Sequence, residues 1–306
     1  LGEDEGGPKR TLLNASASLA GSNLIMLHSH SWLAPSTLAR HLVCLWRLRG
    51  ELAPGARVPI LPGIAAADVV LQLGQPGRLV QDGQGRELPA RFVVGGLGRA
   101  LEIEPRGAVD VIGIQLPPAC ACLLGTRGAA LRERVEPLAG LAPSLDEALA
   151  RWARAHAGSP SGMDSLWEVL AAHVCPQCDP LVREAARALS VEGEAVGDLA
   201  TRLGLSRRQL TRRFQDAVGV PPREFVRFAR FTRAWQVAAT EPGSKWADVA
   251  ADAGYADQPH LDRDFREFVG AAPSRVYPGG HPVEATVEED GSAMSPPSKP
   301  GPSSRR

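Results

Sequence analysis

The stretch from Ser206 to Val218, Ser-Arg-Arg-Gln-Leu-Thr-Arg-Arg-Phe-Gln-Asp-Ala-Val, crowds planar hydrogen-bonding side chains into a few turns. With 3.6 residues per helical turn, Arg208, Arg212 and Gln215 fall opposite the apolar stripe Leu210, Phe214 and Ala217. Thr211 and Gln209 lie on the shoulders. A guanidinium forks onto O6 and N7 of guanine, and a glutamine amide onto an adenine edge. This face therefore suits base contact in a major groove, through Arg208, Thr211, Arg212 and Gln215. Arg207 and Arg213 flank it at positions suited to phosphates.

A second cluster runs from Asp257 to Phe268. Arg263 is its candidate base contact, and Gln258, His260 and Arg266 are candidates for phosphate or positioning contacts. Pro259 brings no side-chain donor. Asp262 repels phosphate unless it accepts from a cytosine N4. Eight arginines face two acids between Leu205 and Arg233, whereas four cations face six acids between Lys245 and Pro278. The first cluster should carry most affinity and specificity.

Other residues are chemically competent but less well placed. Cys175-Pro-Gln-Cys178 has the spacing of a redox pair or half a zinc site, and His173, Cys120 and Cys122 are further ligands if the fold gathers them. Reduced thiols in a loop are the expected state. His28-Ser-His30 with His41 suggests a metal-dependent barrel enzyme, but no Glu follows at ligand spacing. No phosphate loop, nucleophile elbow or catalytic dyad is present. Neither a metal nor another cofactor is expected.

Each arginine cluster needs an element to present it. Leu199, Ala200 and Leu203 mark one short helix, and Gly204 ends it as a left-handed cap. Ser206 caps the next, with Gln209 completing a Ser-x-x-Gln box. The pattern recurs: Val249, Ala250 and Ala253, then Gly254, then Asp257 capping a helix striped by Leu261, Phe265 and Phe268. These are two helix-turn-helix units. Pro222 to Ala239 joins them. Its eighteen helical residues span roughly 27 Å, near the ~34 Å of one duplex turn, so both presented helices suit successive major grooves.

Upstream, Val43 to Leu48, Asp68 to Leu73, Arg91 to Val94 and Val109 to Leu116 read as strands separated by Pro76-Gly77, Asp82-Gly83 and Gly95-Gly96 turns. Such spacing suggests a small barrel or sandwich. Two helices follow. Ser144 is expected to cap the first, striped by Leu145, Leu149 and Trp152, and Leu166, Trp167 and Leu170 stripe the second. The organisation predicted is a weakly ordered extension over 1–34, a sensor or dimerisation domain over 35–174, a linker over 175–180, a DNA-binding domain over 181–278 and a disordered tail over 279–306. A start at Met26 fits the reading of the extension.

The chain has 34 Lys and Arg against 34 Asp and Glu, a net charge of zero, which excludes attachment to nucleic acid or membrane by bulk charge. Only Lys9, Lys245 and Lys299 are lysines, so Arg is the default cation here and an isolated Arg says little. No apolar run reaches the ~18 residues of a membrane span. Five cysteines in 306 residues suit a reducing cytoplasm better than a secreted disulfide scaffold.

Residues 181–278 resemble the DNA-binding domain of AraC/XylS-type transcriptional regulators. The resemblance rests on Leu199-Ala200, Gly204, Leu205-Ser206, Leu210, Arg212, Phe214, Gly219 and Pro222, repeated as Ala250, Gly254-Tyr255, Leu261, Arg263, Phe265, Gly270 and Pro273. It implies that the first presented helix reads bases, at Arg208, Thr211 and Arg212, with Gln258, Pro259, Asp262 and Arg263 matching on the second. The N-terminal half is similar to an uncharacterised domain fused to such regulators in high-G+C bacteria, through Trp46, Leu61-Pro62-Gly63, Asp68 to Leu71, Val94-Gly95-Gly96 and Gly113 to Pro117. That likeness implies a cupin-like barrel that senses a small molecule or dimerises. The expected protein is an α+β chain: a small N-terminal β-barrel with flanking helices, then an all-α double helix-turn-helix domain. It is expected to be a cytoplasmic, non-enzymatic regulator binding double-stranded DNA. A small-molecule effector, a homodimer and, for an activator, RNA polymerase are the further partners expected. The rival readings are a metal-dependent cupin-type enzyme and a thiol- or zinc-responsive regulator using Cys175 and Cys178.

Overall fold

The computed structural model describes residues 24–81, 83–156, 162–175, 178–241 and 243–276. The tail expected over 279–306 and most of the extension expected over 1–34 lie outside them.

Among the described residues the strands are β1 (Leu24–Leu33), β2 (Cys44–Leu52), β3 (Val58–Ile60), β4 (Ala67–Gln72), β5 (Arg78–Gln81), β6 (Gln84–Glu87), β7 (Arg91–Gly95), β8 (Leu101–Glu104), β9 (Val109–Leu116) and, later, β10 (Val135–Pro137). They form two antiparallel sheets, one ordered β1-β2-β9-β4-β7-β10 and one ordered β3-β8-β5-β6. The sheets face each other as an open barrel. Among the described residues the helices of this part are α1 (Gly128–Leu131), which precedes β10, then α2 (Leu138–Leu141), α3 (Pro143–His156) and α4 (Met163–Ala171).

Period-two alternation explains this layering. Leu45, Val69, Leu71, Val93, Ile112 and Ile114 point from the larger sheet to a buried cluster shared with Leu145, Leu149 and Trp152 of α3 and Leu166 and Leu170 of α4. Their neighbours Val70, Phe92 and Val94 point the other way, toward Leu79 and Leu101 of the smaller sheet.

Two local expectations change. Residues 24–33, placed in the weakly ordered extension, form β1 and pair antiparallel with β2. The apolar run Leu24 to Leu27, with Trp32 and Leu33, suits a strand, and an edge strand tolerates His28 and Ser31 facing out. Ser144 does not cap α3, because Pro143 already occupies its first position; a proline fits there, having no N–H to satisfy.

The C-terminal part is helical: α5 (Pro180–Arg187), a π-helical turn (Ala188–Glu192), α6 (Val196–Arg202), α7 (Arg207–Val218), α8 (Pro222–Thr240), α9 (Trp246–Asp252), α10 (Gln258–Val269) and α11 (Pro273–Val276). One core serves all of it. Leu210 and Phe214 of α7, Phe225, Phe228 and Phe231 of α8, and Phe265 and Phe268 of α10 are buried together. Phe231 touches Phe265 at 5.0 Å and Phe268 at 5.3 Å, both edge-on, the arrangement that ring quadrupoles favour.

Candidate nucleic-acid interface

α6 and α7 are joined by the turn their residues demand. Gly204 has φ +66°, a left-handed value that costs glycine nothing. Ser206 then caps α7. The Gln209 N–H donates to Ser206 Oγ at 3.3 Å, and the Ser206 N–H donates to Gln209 Oε1 at 2.9 Å, a reciprocal box. Leu210 and Phe214 anchor the helix with no exposed surface. Arg208, Arg212 and Gln215 are exposed on the far side, and Thr211 is half-buried. Among the described residues no acid pairs with Arg207, Arg208, Arg212 or Arg263. Arg207 lies close over Gly197 of α6, where a Cβ would sit 2.3 Å from its Nη2.

Arg213 is differently placed. Its guanidinium donates to both carboxylate oxygens of Asp179, at 2.6 and 3.0 Å. Burial works to raise the Asp179 carboxyl, but bonds from Arg213 and from the Val182 and Leu181 N–H groups outweigh it and hold the carboxyl below its usual range.

The second unit repeats the design. Gly254 has φ +81°, and Asp257 caps α10 by accepting from the His260 N–H at 2.8 Å. Gln258 and Arg263 are exposed. The His260 ring packs edge-on against Tyr255, at 5.2 Å between centroids. Arg266 reaches Asp262 at 3.5 Å along the helix.

The acid surplus counted in this unit is partly internal. Asp264 is only 1% exposed; it accepts from Arg227 at 2.7 Å and from Tyr255 Oη at 3.2 Å. Glu267 accepts from the same Arg227 at 2.6 Å. Arg227 is thus lost from the first unit's presented charge, and two acids from the second unit's.

The N-terminal part touches α7 beside its presented face. Arg127 pairs with Asp216 at 2.8 Å, and Arg132 with Glu224 of α8 at 2.8 Å. The Ala100 N–H donates to the Phe268 carbonyl at 2.6 Å. Gly128 packs so closely on the end of α7 that a Cβ would lie 2.4 Å from the Ala217 carbonyl oxygen. None of these long-range contacts was readable from spacing. Asp179-Pro180 did carry a signal, an N-cap before a first-turn proline, and it marks the start of α5.

The histidine candidates separate, whereas the thiols gather, Cys122 within hydrogen-bond reach of Cys175 and Cys178, and Cys178 within reach of Cys120. His28 is exposed, and His30 stacks on Trp32 at 6.0 Å. His41 lies elsewhere, 3.7 Å from the Cys178 thiol. Cys178 also meets Cys122, at 3.4 Å between sulfurs. No disulfide joins the five cysteines. Among the described residues no three His, Cys, Asp or Glu side chains are grouped to hold a metal ion, and no helix is long and apolar enough to cross a membrane.

Comparison with known families finds a helix-turn-helix domain over residues 199–277, covering both capped helix pairs and α8. Residues 199–277 are an AraC-type helix-turn-helix domain. The chain that carries this domain is a DNA-binding transcription regulator. Among solved structures, the apo form of a ToxT variant from Vibrio cholerae is similar at a TM-score of 0.47 and 13% identity, over 75% of this chain and 95% of that one. Unsaturated fatty acid-bound ToxT from Vibrio cholerae gives 0.46 and 10%, over 88% and 100%. The DNA-binding domain of AdpA, in complex with a target DNA, is 30% identical over 31% of this chain and 87% of that one, at 0.28. No curated protein matches the chain. Within the AraC-type domain, α7 and α10 are the second helices of the two units, the elements this motif presents to DNA.

Proposed function

We propose that the chain reads a specific DNA sequence mainly through α7, with α10 in a supporting role. Arg208, Thr211, Arg212 and Gln215 contact base edges, and Arg263 does so from α10. Arg207, Gln258, His260 and Arg266 contact phosphates or position the domain, and Arg213 joins them when Asp179 releases it. The observation that carries this reading is the exposed, acid-free Arg208–Arg212–Gln215 face on a helix capped at Ser206 and anchored by Leu210 and Phe214. The 35–174 region acts as a sensing or dimerising unit. A small-molecule effector shifts the population of DNA-competent arrangements through the pairs that join this unit to α7 and α8. The protein works in the cytoplasm without enzymatic chemistry, as a homodimer, and meets RNA polymerase where it activates.

Selection of bound DNA from a random library by the full chain tests the reading. One enriched motif is expected, weakened by Arg208→Ala and Arg212→Ala. Enrichment untouched by both substitutions overturns it.

A second reading, thiol response, is favoured by the Cys122–Cys178 contact. Oxidation by a peroxide would join the two sulfurs, with two protons and two electrons passing to the peroxide as it becomes two waters. Burial and hydrogen bonding among the thiols push Cys122 upward, and hydrogen bonding to Cys120 together with burial does the same for Cys178. Both disfavour the reactive thiolate, so the DNA-reading function does not depend on this step. Cys122→Ser abolishes any peroxide effect on DNA binding if the second reading holds.

A further inference from the structure

The chain has only five cysteines in 306 residues, yet four of them meet where the N-terminal part joins α5. Cys120 precedes a short 3-10 turn (Ala121–Leu124) and Cys122 lies within it. Cys175 and Cys178 come from the segment before α5, which begins at Pro180. Ala119 holds φ +72° just ahead of the turn, a conformation that costs a residue with a Cβ. Such a kink persists only where its surroundings fix it, and here it delivers Cys120 and Cys122 to the second pair.

The sulfurs of Cys122 and Cys178 lie 3.4 Å apart, although the residues are 56 positions apart in the chain. Cys175 is within hydrogen-bond reach of Cys122, and Cys120 of Cys178. The order of contact is therefore Cys120, Cys178, Cys122, Cys175. Cys44 stands apart on β2, against Gln115 Oε1 at 3.8 Å.

Sulfur ligands select soft cations, Cu(I) and Zn(II) among them. A structural zinc ion takes four donors at the corners of a tetrahedron, with bonds to sulfur of about 2.3 Å. Among the described residues no three donor side chains are grouped around such a centre; the sulfurs run as a chain instead. A soft monovalent cation is satisfied by two sulfurs in line. Cys122 and Cys178 supply them once their pair opens by about 1 Å to admit two bonds of that length. Cys122 is half-buried and open to an arriving ion, and Cys178 is buried behind it. Two thiolates on one such cation leave a single negative charge. Arg183 is near enough to favour the thiolate of Cys178 and offsets that charge. His41 Nδ1, 3.7 Å from the Cys178 sulfur, can donate to it.

We propose that Cys122 and Cys178 bind one soft monovalent cation, Cu(I), as a two-thiolate site, with Cys120 and Cys175 as neighbours rather than ligands. Each thiol gives its proton to solvent as its sulfur bonds the ion, and nothing is oxidised. The site goes beyond DNA reading. It also differs from a peroxide response of the same pair, which joins the sulfurs to each other and needs an oxidant.

The test is anaerobic titration of the full chain with Cu(I), in competition with the chromogenic chelator bathocuproine disulfonate, in ascorbate and without added thiol. One ion per chain is expected, with two protons released to an indicator in weak buffer. Cys122→Ser and Cys178→Ser should each weaken binding by about a hundredfold or more, and Cys120→Ser and Cys175→Ser by no more than about tenfold, as neighbours of a ligand do. Cys44→Ser should leave it unchanged. If a variant fails to fold, the ion and proton counts on the unsubstituted chain decide. No binding of Cu(I), release of three or four protons per ion, or binding that survives the loss of both Cys122 and Cys178 overturns the assignment. A parallel titration with Zn(II) closes the alternative. Zinc held more tightly than its chelating dye, and lost equally in all four cluster variants, replaces the two-sulfur site with a four-sulfur one and also overturns it.

Discussion

Asp179 grips Arg213 with both carboxylate oxygens and caps α5 with one of them, Oδ1, which also accepts from the Leu181 and Val182 N–H groups. One carboxylate thus fixes the first helix of the C-terminal part and occupies a cation of the presented helix. Asp179→Asn keeps a good capping residue and removes the charge. Affinity for DNA of any sequence should rise several-fold, and the salt slope should steepen by roughly one unit as Arg213 gains a phosphate. Titrations at several salt concentrations check this. An unchanged slope would show that Arg213 never reaches DNA.

Arg208→Ala and Arg212→Ala should each cost about 1–3 kcal/mol on the selected site and relax preference at the contacted base pair. Arg207→Ala should weaken all sequences alike. Arg263→Ala should cost less than Arg208→Ala, because Pro259 and Asp262 beside it are poor donors. Competition against single-base variants of the site measures each. A larger loss from Arg263→Ala would make α10 the principal reader.

Asp68 ties stability to pH in the direction opposite to a salt-bridged carboxylate. Its folded value, about 7 through burial, lies above the ordinary carboxylate value near 4. Between these values the folded chain holds a proton that the unfolded chain has lost. Stability therefore falls as pH rises across that window and levels off above it, by on the order of 4 kcal/mol in all. Asp68→Asn should flatten the dependence and be the more stable form at pH 8. Denaturant titrations from pH 4 to 8 follow it, and a slope surviving in Asp68→Asn would place the proton elsewhere, with the nearby Cys44 thiol pushed too high by burial to titrate there.

Gly128→Ala places a methyl group against backbone atoms of Ala217, Val218 and Gly219 at 2.4 to 2.8 Å. Backbone cannot swing aside as a side chain would. The two parts should separate, breaking the Arg127–Asp216 and Arg132–Glu224 pairs. Small-angle scattering should show a larger radius of gyration, with helical content retained by circular dichroism. An unaltered radius would mean that the junction absorbs the methyl group.

Legibility in the sequence tracked distance along the chain. The Ser206–Gln209 box, the Gly204 turn and the Asp257 cap each need residues within three or four positions, and each forms as read. β9 spans Val109–Leu116, the limits its alternation sets. β6, by contrast, exposes all four residues, Gln84 to Glu87, so no apolar pattern marks it. β10 has three residues and is defined by pairing with β7. Within the candidate site, the exposed Arg208–Arg212–Gln215 face followed from helical periodicity. The occupation of Arg213 did not, since its partner lies 34 positions away. The Trp46–Asp68 hydrogen bond was hidden for the same reason: the two residues become neighbours only once β9 lies between their strands.

Arg227 clamps Asp264 and Glu267, and the ring of Phe228 meets Phe268 at 5.1 Å. These contacts make α8 and α10 one stiff piece, and α7 shares its core through Phe214 and Phe225, at 5.2 Å. The gap between the two presented helices is therefore set before any duplex arrives, like the jaws of a fixed caliper. Where groove spacing and jaw spacing differ, the double helix yields rather than the protein. The bending cost then falls on base pairs lying between the jaws, and flexible pyrimidine–purine steps there lower it without a side chain touching them.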